Sequence, residues 1–216
     1  PMYTLEDVEK LMPQFRTTDY GKQITPCAGI SAVFFDAGHL LGSASIQITI
    51  TENGETHTIV FSGDVGTPYR PLLRSPHAPD KADTLIIEST YGDRPRPKQP
   101  KDLELRLAAI IDSTLSGGGN VVIPSFAVGR TQELLYMLRR IKNQKLTLNN
   151  FPVYLDSPLA IEATNIYKET LHEYFDEETN ALLAKGINPI GFPGLYLTET
   201  SDASKLINTD PTPKVI

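Results

Sequence analysis

The chain has 216 residues, enough for one large domain or two small ones, and its composition, 40% hydrophobic and 21% charged, is ordinary for a soluble globular protein. A formal net charge of -6 argues against nucleic-acid binding by gross electrostatics, so any RNA contact has to come from a local basic groove. The single cysteine, Cys27, excludes an internal disulfide and reads as a small buried or loop residue, and no apolar run approaches the roughly 20 residues of a membrane span, which predicts a cytoplasmic protein.

Tyr3 to Met12 predicts a short helix with Thr4 as N-cap and acidic residues in the first turn, where they suit the helix dipole. Residues 15–20 and 22–30 read as loop or irregular strand. Ser31 to Phe35 predicts a strand leading into Asp36-Ala37-Gly38-His39-Leu40-Leu41-Gly42-Ser43. Ser45 to Thr51 alternates strictly, the pattern of a half-buried strand, and Thr58 to Phe61 is a short apolar run that can pair with it. Between them Glu52-Asn53-Gly54-Glu55 is a hairpin signal, because Asn and Gly accept the positive φ of a tight turn. A hairpin folds its outer ends together, so His39 and Asp64, the latter in Ser62-Gly63-Asp64-Val65-Gly66, are expected to meet at one sheet edge. An imidazole and a carboxylate in glycine-flanked loops suit zinc or a similar divalent ion, although two donors do not complete a site.

The proline-rich segment 69–80 reads as a surface loop carrying Arg70, Arg74 and His77, and His77, His57 and His172 all read as ordinary packed or solvated histidines. Thr84 to Ile87 predicts a strand that delivers Glu88 to a loop. Asp93 to Pro100 is a stiff basic connector, and the domain boundary is placed there. Leu103, Leu107, Ile110, Ile111 and Leu115 follow a helical period that Gly117 to Gly119 end. A strand at Val121 to Ile123, a helix through Leu134, Leu138 and Ile141, and a strand at Val153 to Leu155 come next. A helix from Pro158 to about Phe175 follows, with Ser157 as N-cap and Pro158 at the first helical position. Strands alternating with helices predict a parallel sheet with right-handed crossovers. Residues 181–194 are weakly patterned, Ser201 to Ile207 predicts a short helix, and Val215-Ile216 the beginning of a strand.

Ser125-Phe126-Ala127-Val128-Gly129-Arg130 sits where a strand gives way to a helix. N–H groups at that helix start, with Arg130 beside them, would favour a phosphate oxygen, which makes Ser125, Gly129 and Arg130 candidate substrate contacts against the alternative of a structural turn. Arg139, Arg140, Lys142 and Lys145 read as a solvated helix face rather than an RNA contact, and Asp156-Ser157 as a cap.

The same motifs carry a resemblance. D-A-G-H-L-L-G-S resembles the third motif of the metallo-β-lactamase fold and F-S-G-D-V-G its fourth. E-S-T-Y-G at Glu88 to Gly92 resembles a block of the β-CASP branch, which acts on nucleic acids, and G-G-N-V-V-I-P-S-F-A-V-G-R-T-Q-E-L from Gly118 to Leu134 is similar to another. Four blocks in the right order, covering nearly the whole chain, identify it as a member of that branch. The resemblance implies an α/β fold: the second half of a metallo-β-lactamase αββα sandwich over residues 1–95, then a C-terminally truncated β-CASP parallel α/β domain over 96–216. It implies two zinc ions with His39 and Asp64 among the ligands, Asp64 bridging. Asp64 and Glu88 are then catalytic, Glu88 orienting and charging a downstream histidine that acts as general acid. RNA is the implied partner and zinc-dependent cleavage of its phosphodiester bonds the implied reaction, endonucleolytic and perhaps also exonucleolytic; no membrane is involved, and a homodimer is left open.

The departures from the family pattern are specific. An intact member carries H-x-H-x-D-H upstream of the His39 block and two later histidines; no such run occurs here, and none of the four histidines follows His172. The chain is therefore expected to be an internal fragment, inactive alone because it cannot complete a dinuclear site. Two other readings stay open: a non-catalytic RNA-binding or scaffold member of the same fold, and a generic ester or thioester hydrolase, which the E-S-T-Y-G and P-S-F-A-V-G-R blocks argue against.

Overall fold

The computed structural model describes residues 2–95, 102–170 and 172–216. Two compact units interleave along the chain: one takes residues up to 37, then 43–65 and 76–88, and the other takes 38–42, 66–75 and 89–216. The basic connector runs outside the described residues from position 96.

In the first unit, α1 (Leu5–Leu11) is closed by a capping box. The Thr4 hydroxyl accepts from the Asp7 N–H at 3.4 Å, and the Asp7 carboxylate accepts from the Thr4 N–H at 2.8 Å. Five strands follow, β1 (Gln23–Cys27), β2 (Ile30–Asp36), β3 (Ala44–Glu52), β4 (Glu55–Phe61) and β5 (Thr84–Ile86), in that spatial order. Neighbours are antiparallel except β5, which runs parallel to β4. The hairpin turn is the expected one, with Asn53 and Gly54 at φ 52° and 84° and Glu52 facing Glu55. Alternation along β3 sets Ile46, Ile48 and Ile50 on one face, where they pair with Phe34, Ala32 and Ile30 of β2 and with Phe61, Ile59 and His57 of β4.

This register has a positional consequence. β2, β4 and β5 all run in one direction, so the segments following Asp36, Phe61 and Ile86 leave the sheet at the same edge. β1 is a full strand where an irregular one was expected. It carries a bulge between Ile24 and Cys27, and at Gly29 (φ 77°) a Cβ would stand 2.8 Å from the Thr51 carbonyl oxygen. Cys27 is exposed on this strand rather than buried.

The second unit contains α2 (Leu103–Ser116), α3 (Arg130–Asn143), β6 (Val153–Leu155), α4 (Pro158–Glu169), α5 (Glu177–Leu183), β7 (Leu195–Leu197) and α6 (Ser201–Thr209). β6 and β7 are parallel, and Val215 forms parallel bridges to both Val121 and Val153, so the expected strands at 121 and 215 are single-bridge members of one parallel arrangement. α3 feeds two apolar clusters. Leu135 and Tyr136 pack with Leu72, Leu155 and Phe175, whereas Leu138 and Ile141 pack with Ile111, Val153 and Val215. Among the described residues no helix is long and apolar enough to cross a membrane.

Two further expectations are corrected. The helix from Pro158 does not reach Phe175: it stops at Glu169, Thr170 turns extended at ψ 148°, and its hydroxyl donates to the Ile166 carbonyl at 2.6 Å. Asp176 then starts α5, accepting from the Thr179 N–H at 2.7 Å and from the Leu72 N–H at 3.0 Å. The cationic face of α3 is mostly engaged by protein rather than solvated. Arg139 is buried, and Arg140 pairs with Glu104 at 2.9 Å and Glu178 at 3.1 Å. The Lys142 ammonium donates to Asn150 at 2.6 Å and lies 4.3 Å from the Phe151 ring centre, and burial pulls its pKa below that of an ordinary lysine.

Lys214 is fully buried and closes α6, its ammonium donating to the Asp210 carbonyl at 2.6 Å with the Asp210 carboxylate at 3.5 Å. Lys214→Met strips the Asp210 carbonyl of its donor, and the expected loss of unfolding free energy, measured by urea denaturation, is about 2–4 kcal/mol. Burial, together with the nearby Glu178 carboxylate, pushes the Tyr136 phenol up to about 12. An unfolded tyrosine releases its proton near pH 10. The native state therefore holds the proton where the unfolded chain has lost it, and stability should fall as pH rises from about 10 towards 12, a slope that Tyr136→Phe makes shallower.

Candidate functional site

Asp64 belongs to the first unit and sits in the exposed turn that follows β4. That turn is tied to the neighbouring strands by a chain of hydrogen bonds. The Ser45 hydroxyl donates to the Ser62 carbonyl at 2.7 Å, the Ser62 N–H donates to the Ile86 carbonyl at 2.9 Å, and the Ser62 hydroxyl accepts from the Glu88 N–H at 3.0 Å. The Glu88 carboxylate then accepts from the Val65 N–H at 2.7 Å. Glu88 therefore grips the peptide directly after Asp64 and is half-buried in doing so. Gly63 (φ 55°) makes the turn, and a Cβ there would stand 3.0 Å from the Ala44 carbonyl oxygen.

His39 is half-buried in the second unit, in the loop Gly38–Gly42. The neck of that loop is closed in the first unit, where the Ala37 N–H donates to the Ser43 carbonyl at 3.1 Å. Leu41 packs on the cluster around Leu72 and Tyr136, and Leu40 lies against Gly129, where any Cβ would collide with its side chain. The two leucines of G-H-L-L-G are thus anchors for the histidine loop. Their adjacency to His39 is the signal in the sequence that an emphasis on metal-donor residues passed over. Gly66, also in the second unit, packs so closely on the Gly38–His39 peptide that a Cβ would overlap it. His39 and Asp64 fall in different units, and Gly66 stands two residues after Asp64.

The turn before α3 is satisfied from within. The Ser125 and Thr131 hydroxyls are 2.7 Å apart, and the Thr131 hydroxyl also donates to the Phe126 carbonyl at 2.7 Å. Gly129 has φ 86°, and its N–H donates to the buried side chain of Gln132 at 2.7 Å. The Gln132 amide nitrogen in turn donates to the Ala127 carbonyl at 3.1 Å and to the Thr164 hydroxyl at 3.0 Å. Arg130 is exposed and donates to Glu133 at 2.8 Å, and Arg70 pairs with the same carboxylate at 2.9 Å. Two guanidinium groups therefore converge on one buried glutamate, leaving one net positive charge and spare donors on both arginines.

Among the described residues no three of His, Cys, Asp and Glu gather closely enough to hold a metal ion. His39 and Asp64 are donor types that zinc accepts, but a zinc site takes about four ligands, so these residues do not by themselves fit a complete centre, and no metal-borne step follows from them.

Residues 131–216 match the Beta-Casp domain. The chain is 38% identical over 216 residues to ribonuclease TTHA0252 of Thermus thermophilus, covering 100% of this chain and 48% of that protein. It is 33% identical over 213 residues to an RNase J-like protein of Methanocaldococcus jannaschii, covering 97% of this chain and 47% of that protein. It is 32% identical over 176 residues to cleavage and polyadenylation specificity factor 73 of Drosophila melanogaster, covering 81% of this chain and 25% of that protein. The chain thus spans about half the length, or less, of these curated relatives. Residues 131–216 thus belong to the Beta-Casp family, and the chain as a whole is similar to relatives named as ribonucleases.

Proposed function

We propose that the protein is a hydrolase that cleaves RNA phosphodiester bonds, with zinc as its metal, and that it acts in the cytoplasm. The observation that carries this reading is the grip of Glu88 on the Val65 N–H, which holds the Asp64 turn at the sheet edge with a charge-assisted hydrogen bond. Such a bond fixes a carboxylate-bearing loop more tightly than a free turn needs, as expected where a ligand must be preorganised. The names ribonuclease and endoribonuclease among relatives at 31% to 38% identity support RNA as the substrate.

In this reading His39 and Asp64 are two of the metal ligands, and Glu88 serves as positioning residue for the Asp64 turn and for a histidine general acid. Arg130 neutralises a substrate phosphate, while Ser125 and Gly129 shape the turn that aims it. Residues 1–95 supply the metallo-β-lactamase portion and 96–216 the β-CASP portion. A second reading, an RNA-binding member without catalysis, is favoured by one observation, the absence of three clustered donors among the described residues.

Cleavage of end-labelled RNA by the full protein separates the two. The hydrolase reading predicts cleavage that a chelator abolishes and zinc restores, whereas tight RNA binding with no cleavage at any metal concentration supports the second. In the same assay Asp64→Asn is expected to lower the rate by more than about 100-fold. Glu88→Gln should lower it by about 10- to 100-fold, the range typical of groups that orient a metal ligand. Wild-type rates in both variants would refute these assignments.

A further inference from the structure

The second unit carries a groove of about 1350 Å³ that none of the proposed metal ligands lines. One end is formed by the segment Tyr69–Ser75 together with Arg130 and Glu133, the other by residues of α2, the end of α3 and the start of α5. The first end is built on backbone strain. Tyr69 and Leu72 both have positive φ, 60° and 83°, a region that costs a non-glycine residue of order 1 kcal/mol or more.

The strain is held from behind. Leu72 is 1% exposed in the apolar core and its N–H donates to Asp176 at 3.0 Å. Leu73 bridges to Phe175, and the Tyr69 N–H donates to the Ser75 hydroxyl at 3.1 Å. What this loop displays is an aromatic ring that is 95% exposed, with Arg70 next to it in the chain and Arg74 five residues on. At this end three arginines, Arg70, Arg74 and Arg130, stand with two acids, Glu133, which Arg70 and Arg130 share, and Asp176, which accepts from the Leu72 N–H, and among the described residues Arg74 has no ion-pair partner. Along α3 from there the balance reverses: Arg140 is held between Glu104 and Glu178. The protein as a whole is acidic, and this is a local basic patch with an aromatic platform on it.

The geometry points to a binding site for single-stranded RNA at this end, in which one base stacks on Tyr69 while Arg74 and Arg130 contact the flanking phosphates. A preorganised exposed ring bordered by guanidinium groups is the arrangement that takes an unpaired base without regard to its sequence, since every base has a π-face. A duplex offers no free face to such a ring. This inference rests on RNA being the substrate and adds where the strand is held outside the reacting centre.

The test is the affinity of the full protein for a fluorescein-labelled, cleavage-resistant 2′-O-methyl oligoribonucleotide, read by anisotropy across a salt series. Tyr69→Ala keeps a Cβ at the same backbone position and an exposed site, so its melting temperature should match the wild type. Its affinity should fall by about 5- to 100-fold, the range of one lost base stack. Tyr69→Phe should bind within about twofold of the wild type. Arg74→Ala should weaken binding and reduce the slope of log K against log salt by about 0.7, the value of one single-strand phosphate contact. If the wild type binds and Tyr69→Ala binds equally well, the site is overturned while RNA as substrate stands. If the wild type binds no RNA, both fall. Loss of self-association in Tyr69→Ala with RNA affinity intact would assign the ring to a protein contact and overturn the proposal.

Discussion

The hydrogen bond from the Val65 N–H to the Glu88 carboxylate fixes the turn that carries Asp64. A bond from a backbone amide to a charged carboxylate contributes about 1.5–3 kcal/mol, enough to hold an exposed turn in one arrangement against the entropy of ordering it. It can form because β5 runs parallel to β4 and so delivers Glu88 to the edge where β4 ends. Ser62 completes the tie, linking β3, β4 and β5 through Ser45, the Ile86 carbonyl and the Glu88 N–H. Placement of Asp64 therefore follows from strand register, which the alternating isoleucines of β3 set.

The second unit uses a different device for the same purpose. The side chains proposed to meet substrate stand on a helix start and strained turns whose polar groups are satisfied from inside. Gln132 occupies the Gly129 N–H, Glu133 gathers Arg70 and Arg130, and Asp176 both starts α5 and accepts from Leu72. Glu133 is 8% exposed, and the two guanidinium groups paired with it offset the cost of burying its carboxylate. Their spare donors, in turn, are what a phosphate would meet. The cost of the left-handed Tyr69 and Leu72 is offset by burying Leu72 in the apolar core.

Local patterns were legible in the sequence where the physics is local. The Asn53-Gly54 turn, the alternation of β3, the Thr4 and Ser157 caps and the period of α2 and α3 each depend on residues a few positions apart, and each appears as expected. What escaped depends on partners distant in sequence. The cations of α3 read as solvated because nothing nearby announces that Glu104, Glu178 and Asn150 will meet them. The helix beyond Glu169 was overextended because the apolar period continues while the D-E-E-T start at Asp176 marks a new helix. At the site, His39, Asp64 and Glu88 stood out by residue type. The clamp that Glu88 makes is invisible without the parallel pairing of β5.

Amide hydrogen exchange at Val65 tests that clamp most directly, because its N–H donates to the Glu88 carboxylate and to no backbone carbonyl of the sheet among the described residues. In the wild type its amide should exchange markedly more slowly than those of ordinary exposed turns, and Glu88→Ala should return it to the unprotected rate while Ile59 and Val60 in β4 stay protected. Equal exchange at Val65 with and without the Glu88 carboxylate would contradict the claim that this group holds the Asp64 turn in place.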